Sequence, residues 1–246
     1  MKTSARTAPV ARTPFGAPVG DGRPVVSYTL IGLCGAVFVA QLLLPGVTGL
    51  LAFRGVLAGV EPWRLLTTAF VHSPTSPLHI LFNLYVLYVF GPVLEQLLGR
   101  VKFALVYLLC ALGGSVGILL LSAPNPGWLV PVVGASGAIF GLVLLYVVLA
   151  LRQGQVPRQL LVILALNFAL PLVVPQIAWQ AHVGGALTGA AVGGLLMLTA
   201  APGRTREAVR RRRLFWPSLA VLALLLLALG LGRLWSVLGP AAFGLT

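Results

Sequence analysis

Apolar residues in this chain come in long unbroken runs, and each run ends at a short stretch of prolines, glycines or arginines. A helix needs roughly 20 apolar residues to cross the hydrocarbon of a bilayer, and a run apolar on all sides offers no face to water. Seven segments approach that length: 25–44, 78–98, 101–122, 135–151, 159–174, 181–199 and 214–235. The pattern predicts an all-α polytopic membrane protein with seven spans. The fifth is the weakest, because Asn167 interrupts it and Pro171 and Pro175 break its end, leaving six spans as the alternative.

Composition agrees. The chain has 246 residues, 59% hydrophobic and 9% charged, against about 45–50% and about 25% in soluble domains. A net charge of +13 would suggest nucleic acid in a soluble protein. Here the basic residues lie between apolar runs, and only Arg210 to Arg213 resembles a nucleic-acid patch, so no nucleic-acid partner is expected. With the N-terminus inside, Lys2, Arg6, Arg12, Arg23, Arg100, Lys102, Arg152, Arg158, Arg204, Arg206 and Arg210 to Arg213 fall on one side, and Arg54, Arg64 and Arg233 on the other. That division predicts a cytoplasmic N-terminus. Fifteen arginines against two lysines hint at a GC-rich genome, and a bacterial inner membrane is the expected location.

The expected organisation is a disordered cytoplasmic tail (1–24), a six-span core (25–200), a basic cytoplasmic loop (201–213) and an extra C-terminal helix with a short tail (214–246). No inverted repeat of the kind found in secondary transporters is present. Cys34 and Cys110 sit in mid-run without a CxxC pattern, so they read as small apolar fillers, and no metal or cofactor is implied. Loop 45–77 is unusually long for one without disorder signals, which predicts a docked or functional segment. Within it, Trp63 and Arg64 suit the interface, one by its amphipathic ring and the other by reaching lipid phosphates.

Polar groups inside spans are expensive, on the order of 2–3 kcal/mol each on insertion scales. They are few: His79, Asn83, Ser136, Asn167 and His182, with Glu95 at the inner end of the second span, where it would satisfy backbone or hydroxyl groups or pair with Arg100. Spans two, four and six run in the same direction, and His79, Ser136 and His182 stand at the start of each. All three are therefore expected at one depth near the outer face. Asn83 follows His79 by one helical turn. Gly137 and Gly141 form a GxxxG step, and Ala181, Gly185, Gly189 and Gly193 form a small-residue stripe. Such stripes let helix backbones touch. Contact between them would set Ser136 beside His182, the arrangement in which a base takes the proton of a weak hydroxyl nucleophile. Clustering in one leaflet argues against a transport path.

These residues resemble the rhomboid family of intramembrane serine proteases. The likeness rests on "EPWR" at Glu61 to Arg64, "HILFN" at His79 to Asn83, Glu95 with Leu98–Gly99, "GASG" at Gly134 to Gly137, and "AHVGG" followed by Gly189. "GxSG" alone is weak; together with "HxxxN" upstream and "AHxxGxxxG" downstream it is specific. The resemblance implies a six-helix catalytic core with one additional helix. It implies Ser136 as nucleophile and His182 as general base and then acid, a dyad without an orienting carboxylate. His79 and Asn83 would stabilise the oxyanion together with the Ser136 N–H, and Phe140 would stack on His182. Gly134, Gly137, Gly185 and Gly189 would support the site. The implied substrates are single-span membrane proteins entering sideways past span five and "VVPQIAWQ", with Phe82 on the access side. His72, seven residues before His79, departs from the family spacing and is left out of the site. A membrane esterase acting on lipid and a non-catalytic binder of transmembrane clients remain the alternatives, and the oligomeric state is open.

Overall fold

The computed structural model describes residues 12–18, 22–152, 154, 158–169, 173, 174, 176–203 and 205–244. Ten α-helices make up the described chain: α1 (Val25–Leu43), α2 (Val47–Leu51), α3 (Arg64–Thr67), α4 (Pro77–Leu98), α5 (Arg100–Leu121), α6 (Ser136–Arg152), α7 (Arg158–Ala169), α8 (Trp179–Thr199), α9 (Arg206–Arg213) and α10 (Phe215–Leu238). The described chain is all-helical, as the hydropathy pattern predicts. Five helical stretches are long and apolar enough to cross a membrane: α1, α4, α5, α8 and the run from α9 through α10. The expected fourth and fifth spans are shorter. α6 has 17 residues, about 25 Å of helix against roughly 30 Å of hydrocarbon. α7 is described over 12 residues; Pro171, Pro175 and the side chain of Asn167 lie outside the described residues. A short α6 is workable because it stands inside the bundle, where loops rather than lipid cover its first turn.

The core is the α5–α6–α8 sandwich. Most of α5 and α6 is buried, whereas α1 and α10 keep large apolar side chains such as Leu42 and Leu224 on their outer faces. That distribution places the two outer helices against lipid and the three inner ones against each other. α1 starts after Pro24, which supplies no side-chain cap. Its open backbone donors are met instead by Glu95 of α4. Val26 N donates to Glu95 Oε1 at 3.0 Å, and Ser27 N and Oγ donate to Oε2 at 2.8 Å. A carboxylate is favoured there because the first turn of a helix carries unsatisfied N–H groups and the positive end of the helix dipole. Arg100 stands 4.0 Å away, a secondary partner.

Loop 45–77 folds back onto the bundle, as its length predicts. Phe53 and Val132 exchange backbone hydrogen bonds of 3.0 and 2.8 Å, and Thr68 Oγ1 donates to Val132 O at 2.7 Å. Ser115 of α5 donates to Leu65 O at 2.8 Å, and Tyr107 to Ala69 O at 3.1 Å. The interfacial reading of Arg64 is corrected. Its guanidinium is buried, pairs with Glu61 and donates to Gly49 O at 2.5 Å and Ala52 O at 2.8 Å. Five fixed donors make arginine a good interior staple for scattered carbonyls. Trp63 stays half-exposed, its indole donating to Leu50 O.

Both chain ends carry contacts that hydropathy does not predict. Of the segment expected to be a disordered tail, residues 12–18 are docked: Thr13 Oγ1 donates to Leu97 O at 2.9 Å, and Lys102 Nζ to Phe15 O at 2.6 Å. Residues 1–11 and 19–21 lie outside the described chain. Beyond α10, the 3-10 turn Gly239–Phe243 packs on the first loop so closely that a Cβ on Gly59 would fall onto Ala242 O. Leu234 and Ala242 share a buried cluster there with Phe53, Ala58 and Trp128.

Candidate active site

The polar residues singled out by their cost come together at one end of the bundle. α6 begins at Ser136 and α8 at Trp179, three residues before His182. The Ser136 hydroxyl lies 3.0 Å from His182 Nε2. What permits this approach is the absence of side chains between the helices. A Cβ on Gly185 would fall onto the Gly137 carbonyl, and one on Gly189 onto the Gly141 carbonyl. Gly137 meets Ala181 O, where a Cβ would stand 3.2 Å away.

The sequence reading missed the third wall. Gly113 and Gly117 of α5 face Gly184 and Thr188 of α8, again with no room for a Cβ. The signal was there, since Gly113 and Gly117 are themselves a GxxxG step. α8 is thus gripped on two sides by glycine contacts.

His182 is buried, and Phe140 stacks on its ring at 4.1 Å between centroids and 10° between planes. Phe168 of α7 packs edge-on against Phe140 at 4.8 Å, a contact that nothing in the sequence marked. Parallel stacking holds an imidazole in one plane while leaving its edge free for hydrogen bonding. Among the described residues, His182 Nδ1 has no protein partner, so no carboxylate orients the ring.

Gly134 ends the loop ahead of α6 with φ +134°, a conformation other residues rarely adopt, and its N–H donates to Thr68 O at 3.1 Å. A Cβ there would lie 2.9 Å from His79 Nε2 and 3.4 Å from Ser136 Oγ. His79 Nε2 and the serine hydroxyl therefore flank the same small space. Ser73 N donates to His79 Nδ1 at 3.3 Å. That bond makes Nδ1 the acceptor and leaves the proton on Nε2, directed into the space. The first N–H groups of α6 are without intrahelical acceptors, as at any helix start, and α6 starts at Ser136 itself.

Asn83 sits one turn below His79 and is buried. One of its amide N–H groups donates to His79 O at 2.7 Å, which leaves the second for other use. His72 stands in the loop before α4 with its ring 5.3 Å from that of His79. Burial, reinforced by His79, pushes it down to about 4, so it is neutral at pH 7 and puts no charge beside His79. His79 and His182 thus flank Ser136, and His72 stands behind His79. Phe82 is half-exposed on the outside of α4, next to Asn83. No group of three or more metal-ligating side chains occurs among the described residues.

Comparison with known proteins identifies the family. Residues 59–199 match the Rhomboid domain. Rhomboid protease GluP of Bacillus subtilis is 31% identical over 227 residues, covering 87% of this chain and 41% of its own length. RHOMBOID-like protein 2 of Arabidopsis thaliana is 32% identical over 196 residues, 74% of this chain and 59% of its own. RHOMBOID-like protein 6, mitochondrial, from the same plant is 32% identical over 157 residues, 61% of this chain and 48% of its own. The chain spans about half the length of these curated relatives. The matched segment contains His79, Asn83, Ser136 and His182 and more than half of the chain, and the protein belongs to the rhomboid family.

Proposed function

We propose that this protein is an intramembrane serine endopeptidase that cleaves membrane-anchored proteins near the outer face of the bilayer. The observation that carries the reading is the 3.0 Å contact between Ser136 Oγ and His182 Nε2 at the bundle end where α4, α6 and α8 begin. In this reading His182 carries its proton on Nδ1, and Nε2 accepts the Ser136 proton as Oγ attacks the scissile carbonyl. The new C–O bond pushes an electron pair onto the carbonyl oxygen. Its charge is met by the His79 Nε2–H, the free Asn83 N–H and the open N–H groups of α6, fixed donors of the kind that stabilise an oxyanion. The C–N bond then breaks, and His182 returns the proton to the leaving amine. Water repeats the sequence on the acyl-serine, releasing the second product.

A site recessed from the surface is supported by α6 being a few ångströms shorter than the bilayer. Its catalytic end then stands below the lipid surface, within reach of a substrate that enters from the side past α7. The distribution of arginines supports a cytoplasmic N-terminus, and the excess of arginine over lysine supports a bacterial inner membrane as the location.

The test is cleavage of a single-span model substrate by the full chain in vesicles. Ser136→Ala and His182→Ala are each expected to abolish cleavage, with unfolding temperature unchanged. Wild-type rates in either variant would overturn the dyad. Hydrolysis of a lipid ester but no peptide would replace the peptidase reading with an esterase.

A further inference from the structure

At the end of the bundle opposite Ser136, α8 passes into α9, whose sequence is "REAVRRRR". Its five arginines are not equivalent. Arg211 Nε donates to Leu198 O at 2.9 Å, and Arg212 Nη1 to Ala201 O and Gly203 O at 2.6 and 2.9 Å. These two reach back and tie α9 to the end of α8. Arg206, Arg210 and Arg213 are exposed and, among the described residues, have no hydrogen-bond or ion-pair partner. Spaced i, i+4 and i+7, they form one stripe on the side away from Ala208, the buried residue of the helix. The stripe leads into α10, where Leu214 and Trp216 are exposed and Lys102 Nζ lies 5.7 Å from the Trp216 ring centroid.

From this arrangement we infer that the free arginine stripe of α9 is a binding site for the headgroups of anionic phospholipids. Solvation alone would suit three unpaired guanidinium groups on a soluble helix. Here the stripe stands immediately outside a hydrophobic helix, where phosphates are the nearest anions. Among the described residues, Glu207 is the one acid on α9, and the other acid at this end, Glu95, is already engaged by α1. The planar fork of arginine matches the oxygens of a phosphodiester in a bidentate manner. Basic residues next to a membrane helix each strengthen attraction to an anionic leaflet about fivefold at low salt. Trp216, at the junction, fixes the depth at which the stripe meets the headgroups.

The experiment offers the full chain equal amounts of phosphatidylglycerol and phosphatidylcholine with matched acyl chains, and counts the retained lipids by native mass spectrometry. The wild type is expected to retain phosphatidylglycerol over phosphatidylcholine by at least about fivefold at low salt, the effect of a single arginine, and to lose the preference at high salt. The R206Q/R210Q/R213Q variant is expected to lose it at every salt concentration. R152Q, at the end of α6 and bonded to Met197 O, serves as the control and is expected to lower the preference far less than the triple variant. Equal retention of the two lipids by the wild type overturns the inference, as does an undiminished preference in the triple variant. Retention of a short DNA duplex in place of lipid, sensitive to the same three substitutions, overturns it too. All three side chains are exposed, so an unchanged unfolding temperature is expected and guards against a folding artefact.

Discussion

α6 and α8 meet backbone to backbone, whereas α1 and α10 meet the bundle through side chains. In the first pair, Gly185 and Gly189 lie on the carbonyls of Gly137 and Gly141. In the outer helices, the buried positions are Ser27, Leu30 and Cys34 on α1 and Phe215, Leu219, Gly230 and Leu234 on α10, with most other side chains facing outward. The difference is one of tolerance. Side chains can repack around a changed neighbour, but two backbones in contact have nothing that can move aside. The contact that cannot adjust is the one that sets Ser136 against His182.

The sharpest way to break the comparison is at Gly185. Gly185→Val puts a branched side chain onto the Gly137 carbonyl, and cleavage is expected to fall at least about 100-fold, with a lower unfolding temperature. Wild-type activity in that variant would show that the helix contact does not set the dyad. His79→Ala acts chiefly on chemistry, since among the described residues its one ring hydrogen bond is the long one from Ser73 N. Its rate is expected to drop about 10²–10³-fold with no change in unfolding temperature, measured on the same model substrate. Glu95→Gln moves the disturbance to the α1 cap. A stability loss of about 1–2 kcal/mol is expected, measured by denaturant titration in micelles, with cleavage retained. Leu224→Ala, on the exposed face of α10, is expected to change stability by less than about 0.5 kcal/mol. A large loss there would show that α10 is held as tightly as the inner helices.

What could be read from the sequence follows the same division. Polar residues in apolar runs are conspicuous because lipid makes them costly, so His79, Ser136 and His182 stood out, and their positions at the starts of parallel spans placed them at one level. Glycine spacing pointed to the α6–α8 contact for an equally plain reason. Phe168 was not legible, because an aromatic residue in an apolar helix looks the same whether it meets lipid or Phe140. Arg64 was misread because an arginine before a membrane helix has the same neighbours in sequence whether it reaches phosphates or carbonyls; only the fold of loop 45–77 decides. The docking of residues 12–18 and of the turn after α10 depends on pairs far apart in the chain, such as Thr13 with Leu97 and Gly59 with Ala242, for which hydropathy carries no signal. Ser73 is the clearest loss. Its backbone N–H fixes the proton on His79, and any residue other than proline supplies the same donor.

The Glu95 cap on α1 also bears on how the protein is made. Val26 and the carboxylate that satisfies it are 69 residues apart, and at about 5–20 residues per second the ribosome takes roughly 3–14 s to pass from one to the other. During that time α1 has been synthesised but its N-terminal donors are open to water and headgroups. The arrival of α4 closes them. α1 is therefore completed by a helix made after it, and its N-terminal cap is a product of assembly rather than of its own sequence.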